Sequence, residues 1–149
     1  SVHSFPTRRS SDLYVDPAAA SRVVQTAAPT LVPLDVTDRA RLPASMTDEF
    51  RSAGGAGSTI AEWCSYPAEV REAGGDAIHD AAVAAHLLGD VLTLDAQPVS
   101  VVDGDGPCRG ATIADTRRGT DAPTTASVAT EIDVDAFQRL IGDALLSIL

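Results

Sequence analysis

Read for apolar and polar positions alone, the chain alternates between helix-period and strand-like segments from Tyr14 onward. Tyr14-Val15-Asp16-Pro17 leads into the run AAASRVVQTAA. Asp16 is a good N-cap, and Pro17 falls at the first helical position, where its missing N–H leaves no bond unmade. A helix is predicted from there. Residues 30–37, TLVPLDVT, form a short apolar run rich in β-formers with polar residues at its C-terminal end, the pattern of a buried strand. Residues 42–72 predict two helices around the Gly54-Gly55-Ala56-Gly57 break, with Ser45 or Thr47 capping the first and Ser58 or Thr59 the second. Gly74-Gly75 closes that stretch.

After Ile78-His79-Asp80, the Ala-rich run AAVAAHLLGDVL sets Val83, Leu87, Leu88 and Val91 on one helical face. Residues 98–102 and 111–116 predict two strands joined by the turn-like DGDGPCRG, and residues 127–132 a further strand, with loop over 118–126. The chain closes on DAFQRLIGDALLSIL, where Phe137, Leu140, Ile141, Leu145 and Ile148 make an amphipathic stripe. Helix following strand without internal repeats is the rhythm of an α/β domain.

Composition changes this picture in two ways. Hydrophobic residues are 44% and charged residues 21% of 149, so the chain is neither disordered nor too short for a core, but aromatics are only 4% and the core must be aliphatic. The formal charge is −10, all eleven basic residues are arginine, and the sequence pI is about 4.5. Such a surface repels phosphate backbones and anionic lipid, which argues against nucleic-acid polymers and membrane surfaces as partners. Cys64 and Cys108 match neither a CxxC pair nor a zinc spacing, and are read as small, buried side chains of a reduced, cytoplasmic protein. No apolar run approaches a membrane span, and no secretory h-region opens the chain.

Residues 1–13, SVHSFPTRRSSDL, have no helical or strand periodicity and carry two arginines against one aspartate, opposite in sign to the rest. They read either as a disordered arm or as a foreign segment, since they resemble the in-frame translation of a sequencing adapter. The expectation is that native sequence starts at Tyr14 and once continued upstream.

Among residues that carry chemistry, Asp103-Gly104-Asp105-Gly106 has calcium-loop character, but the twelfth position of an EF-hand would be Ala114, so a hairpin turn is the better reading. Arg109 and Asp115 are expected to pair across strands. His86 is expected to be solvated. His79 and Asp80 open the Ala-rich helix, where a histidine packed at a helix start and a plain aspartate N-cap are the structural readings.

Four patterns in this order, YVDPAAA at 14–20, PLDVT at 33–37, HDAAVAAHLL at 79–88 and RGATIADTRRG at 109–119, together with the ending VATEIDVDAFQRLIGDAL, resemble the inosine-uridine-preferring nucleoside hydrolase family over residues 14–149. The resemblance implies a Rossmann-like open mixed α/β sheet, lacking its N-terminal part here. It implies a calcium-dependent enzyme that hydrolyses the N-glycosidic bond of a ribonucleoside substrate to ribose and free base, and it is compatible with a homo-oligomer. His79 matches the family's histidine against the leaving base, which is suited to act as its acid. Asp80 matches its C-terminal Ca²⁺ ligand, an oxygen donor of the kind calcium prefers. Trp63 and Tyr66 lie where the family places aromatics over the base, and are read either as such stacking groups or as ordinary helix aromatics.

The family's aspartate cluster of form DxDxxxDD, which supplies the water-activating base and most Ca²⁺ ligands, has no counterpart: at the required offsets from Asp103 and Asp105 stand Arg109 and Gly110. The family's Glu-x-Asn ribose grip would fall on Ser10 and Asp12. The expectation is therefore an inactive fragment of a hydrolase, with exposed apolar helix faces. The alternative is a non-catalytic α/β binding or interaction module that keeps His79-Asp80 for packing.

Overall fold

The fold, seen in a computed structural model, is described for residues 11–64, 77–117 and 121–149. Its helices are α1 (Ser11–Val15), α2 (Pro17–Ala27), α3 (Leu34–Thr37), α4 (Ala44–Ala53), α5 (Gly55–Trp63), α6 (His79–Leu88) and α7 (Val134–Leu146). Its strands are β1 (Thr30–Leu31), β2 (Leu92–Gln97), β3 (Val99–Val101), β4 (Thr112–Ala114) and β5 (Ala126–Ile132). One sheet has the order β1-β5-β2, with β1 parallel to β5 in the register Thr30↔Ser127 and Leu31↔Val128. β3 and β4 form a separate antiparallel pair, Val99 opposite Ala114 and Val101 opposite Thr112. The α/β expectation holds.

The chain divides into two compact units, Ser1–Leu31 with Leu94–Ala129 and Val32–Thr93 with Thr130–Leu149. In the first, α2 begins as predicted: Asp16 Oδ1 accepts from the Ala19 N–H at 2.9 Å, with Pro17 at the first helical position. Val24 on that helix packs with Val99, Val101, Ala114 and Ala126 into an aliphatic core. The loop joining β3 and β4 folds back on the chain's start. Arg109 Nε donates to the Tyr14 carbonyl at 3.0 Å, its guanidinium lies 5.8 Å from the Tyr14 ring centroid, and Nη1 reaches Asp105 at 3.3 Å. Gly110 sits at φ +76° directly beneath the Tyr14 backbone, where a Cβ would lie 2.7 Å from Tyr14 N and Cα. Only glycine fits both constraints.

The second unit is built from α3 to α7, with Phe50, Phe137, Val36 and Ala40 wholly inside. Gly54, at φ +73° and ψ −170°, ends α4 and starts α5 in one residue, a conformation closed to side chains. Asp133 caps α7 by accepting from the Ala136 N–H at 2.9 Å, and the predicted stripe buries Phe137 and Ile141 while Ile148 stays exposed.

Several expectations are corrected. The strand over 30–37 is only Thr30–Leu31; beyond Pro33, whose carbonyl accepts from Val36 and Thr37 N–H at 3.0 and 3.1 Å, the chain turns into α3. Neither Ser45 nor Thr47 caps α4, and neither Ser58 nor Thr59 caps α5, because Pro43 and Gly54 already stand at the N-cap positions and the hydroxyls fall inside the helices. α6 ends at Leu88, and the missed strand β2 follows Gly89. The helix buries Ala82 and Ala85, whereas Val83, Leu87 and Leu88 are exposed; small side chains let it approach α7 closely, where Leu140 already touches Gly89. Arg109 and Asp115 do not pair with each other: Asp115 takes Arg117 at 2.6 Å, and that hydrogen bond pushes the arginine's pKa up. Cys108 is exposed and Cys64 only half-buried, so neither is a buried side chain. The Gly74-Gly75 stop lies outside the described residues.

This packing predicts that Ala85→Leu destabilises the protein by roughly 1–3 kcal/mol through overpacking, while Leu87→Ser changes stability by about 0.5 kcal/mol or less. Urea denaturation midpoints would check both. Equal costs would mean that the α6 face had been assigned wrongly.

Candidate functional site

The site forms where a tight turn meets the start of α6. Pro33, extended at φ −76° and ψ 161°, sets the entry to α3, and the turn closes through Asp38 N–H to Leu34 O at 2.7 Å and Ala40 N–H to Thr37 O at 2.9 Å. The chain then runs through Ala40 and Arg41, which pair with the segment before α6: Ile78 N–H donates to Ala40 O at 2.9 Å, and Arg41 bridges Ala77 in antiparallel fashion. That pairing delivers His79 against Thr37. The turn itself is held from below by Gln138 of α7, whose amide donates to Arg41 O at 2.8 Å, and by Arg39, which donates to Thr130 O at 3.2 Å.

Three functional groups meet there. Thr37 Oγ1 lies 2.9 Å from His79 Nδ1 and 3.4 Å from Leu34 O, with Thr37 only 3% exposed. His79 Nε2 lies 3.9 Å from Asp38 Oδ1, and the imidazole is 43% exposed, so the ring is anchored at one nitrogen and partly open to solvent. Arg41 Nε donates to the Asp38 carbonyl at 2.9 Å, which holds the backbone of the turn. Such a ring can give or take a proton at Nε2 while its orientation is fixed at Nδ1.

The predicted residues fare differently. His79 is the first residue of α6 and makes the contacts above. Asp80 is exposed in the first helical turn but is not the N-cap; Ile78 occupies that place and makes no side-chain capping bond. The structural explanation of Asp80 as a cap is thereby removed. Trp63 stands at the end of α5, 72% exposed. Tyr66, Ser10 and His3 lie outside the described residues. His86 is half-buried rather than solvated, with Nδ1 buried and without a hydrogen-bond partner. Thr37 and Asp38 were not singled out from sequence, although Thr37 closes the PLDVT pattern. A predicted strand there hid the turn that turns both toward His79.

Among the described residues, no group of three or more His, Cys, Asp or Glu side chains is gathered to hold a metal ion, and no helix is long and apolar enough to cross a membrane.

Comparison with known proteins identifies the family and the fold. Residues 11–139 match the profile of the family described as inosine-uridine preferring nucleoside hydrolase. A pyrimidine-specific ribonucleoside hydrolase, RihA, from Shigella boydii is 32% identical over 142 residues, covering 90% of this chain and 46% of that protein; RihA of Escherichia coli strain K12 is 31% identical over the same length. Among solved structures, the purine-preferring ribonucleoside hydrolase from Gardnerella vaginalis superposes with a TM-score of 0.70 at 30% identity, again covering 90% of this chain and 46% of the other. A plant nucleoside hydrolase, the PpNRh1 enzyme, superposes at 0.73 with 22% identity and shares the fold. The chain thus spans about half the length of the relatives it matches.

Since Asp80 neither caps nor is buried, Asp80→Asn is expected to alter unfolding free energy by about 0.5 kcal/mol or less. Asp133→Ala, which removes a true cap, should cost about 1 kcal/mol. Thermal or chemical denaturation of the two variants distinguishes them; a large loss in Asp80→Asn would restore a structural role.

Proposed function

Because this chain belongs to the inosine-uridine preferring nucleoside hydrolase family, we propose that it supplies the leaving-group side of an enzyme that hydrolyses the N-glycosidic bond of a ribonucleoside, with His79 as proton donor to the departing base. The observation that carries this reading is the His79 ring itself, fixed at Nδ1 by Thr37, with its other nitrogen near Asp38 and the ring partly open to solvent. The proposal assigns the hydrolase portion to residues 14–149; the family match covers residues 11–139.

In this reaction the C1′–N bond breaks and its electron pair stays with the base, leaving an oxocarbenium-like sugar. A nucleobase anion is a poor leaving group. Transfer of the Nε2 proton from charged His79 to a ring nitrogen of the base neutralises it, and the N–H electron pair returns to the imidazole. Water adds to C1′ and gives up a proton to a base outside the described residues. Asp38, 3.9 Å from Nε2, pairs with the ring while it is charged. Trp63, exposed at the end of α5, offers a face on which the base stacks.

Calcium, when bound in such an enzyme, supplies an activated water and a grip on the ribose hydroxyls. It needs six to eight oxygen ligands. Asp80 offers one exposed carboxylate, and the described residues gather no set of three. They do not compose a calcium site by themselves; the proposal gives Asp80 one ligand position and assigns the rest to carboxylates outside them. With no DxDxxxDD cluster in the sequence, the chain by itself is inactive. Among the described residues Cys64 and Cys108 form no disulfide, which suits a reducing, cytoplasmic setting.

The expected outcome is no turnover of inosine or uridine by this chain alone, and turnover by a chimera in which it replaces the matching part of RihA. In that chimera His79→Ala should lower kcat by about 10²–10⁴-fold with KM little changed. Steady-state assays decide. A His79→Ala chimera as fast as its parent would sink the assignment.

A further inference from the structure

The Thr37–His79 contact carries more information than the position of the ring. A hydroxyl has one hydrogen to give and lone pairs to accept with, and a neutral imidazole has one nitrogen of each kind. Thr37 Oγ1 lies within reach of two groups, the Leu34 carbonyl at 3.4 Å and His79 Nδ1 at 2.9 Å. The carbonyl can only accept. If the hydroxyl donates to Leu34 O, its lone pairs face Nδ1, which must then carry the hydrogen; both roles of a side chain with 3% exposure are filled. If the hydroxyl donates to Nδ1 instead, its lone pairs are left facing the interior with nothing to accept. The first arrangement is the better satisfied.

Among the described residues, nothing at the other nitrogen competes with it. Asp38 Oδ1 is 3.9 Å from Nε2, too far to hold an Nε2–H by a hydrogen bond. The turn that carries Thr37 is closed by backbone bonds at Asp38 and Ala40, and Ala40 in turn fixes Ile78, the residue before His79. Hydroxyl and ring therefore sit on two segments tied together by backbone bonds.

We infer that Thr37 is a positioning residue that holds neutral His79 as the Nδ1–H tautomer, leaving Nε2 as the nitrogen that takes up and delivers the proton. The catalytic meaning of this rests on the hydrolase reading above; the tautomer itself does not. In the cycle, Nδ1–H stays bonded to Thr37 throughout.

The experiment is long-range ¹H–¹⁵N correlation spectroscopy on the ¹⁵N-labelled chain, at a pH where imidazole is neutral, with the His79 signals assigned by their loss in His79→Gln. The protonated nitrogen should be Nδ1 in the parent chain. Thr37→Val, which keeps the shape and removes the hydroxyl, should shift the majority to Nε2–H, and Thr37→Ser should keep Nδ1–H. A parent chain whose neutral His79 is mainly Nε2–H overturns the inference, as does an unchanged tautomer in Thr37→Val. Should Thr37→Val fail to fold, the parent tautomer still decides. In the RihA chimera, Thr37→Val should lower kcat on the order of 10–100-fold, with rescue by Thr37→Ser. Because the spectrum needs no turnover, a wrong tautomer leaves the hydrolase reading standing. A correct tautomer with kcat insensitive to His79→Ala would sink that reading instead.

Discussion

A histidine at a helix start swings among several rotamers unless something fixes one of its ring nitrogens, and chemistry at the other nitrogen then has no defined direction. Here the constraint is a backbone pairing remote in sequence. Ile78 N–H to Ala40 O joins the strand-like approach to α6 with the exit from the α3 turn, and Thr37 and His79 are separated by 42 residues yet meet at 2.9 Å. The pairing is itself supported from α7 through Gln138 and Arg41 O. Phe137, next to Gln138, is wholly buried, so the tie reaches the core of that unit. Loss of this pairing would leave His79 a surface residue with no orientation.

Several local rules were legible, although the expected caps at Ser45, Thr47, Ser58 and Thr59 did not form. Asp16 and Pro17 mark the start of α2, the DGDGPCRG turn joins β3 to β4, and the last helix follows its apolar stripe, because each signal concerns contacts within a few residues. The candidate histidine and aspartate were legible as a motif. Their surroundings were not. TLVPLDVT has strand composition, but Pro33 removes a ladder donor and its carbonyl is free to start a turn, which outweighs the β-formers around it. The alanines of α6 defeat a hydrophobicity count for a different reason. Closeness of helix approach, not side-chain size, decides which face is inside, and Ala82 and Ala85 permit what Leu87 and Leu88 would block. Thr37 and Asp38 were invisible as site residues because both depend on that misread turn.

The arginines explain how an acidic chain keeps an acidic site. Arg39 and Arg41, which flank the turn, donate to the carbonyls of Thr130 and Asp38, and Arg109 donates to that of Tyr14. Guanidinium groups used in this way brace backbone without setting a cationic pocket beside His79. Asp38 stands near the ring, and exposed Asp80 follows it in the chain. An anionic group brought to this turn would meet two carboxylates.

Glycosidic cleavage also explains why one stretch of chain can hold a coherent part of such a site. The leaving base and the attacking water lie on opposite sides of C1′, so the acid and the water-activating groups need never touch, and they need not come from neighbouring segments. In the proposed role, His79 needs its positioning hydroxyl close by, and among the described residues its contacts come from Thr37 of α3 and Asp38 in the turn after it. A cation site is different in kind: Asp80 gives a single carboxylate, and several more oxygens must converge on the same point before an ion is held against water. On the proposed reading, the first function needs only local contacts. The second is collective, and one exposed aspartate cannot represent it.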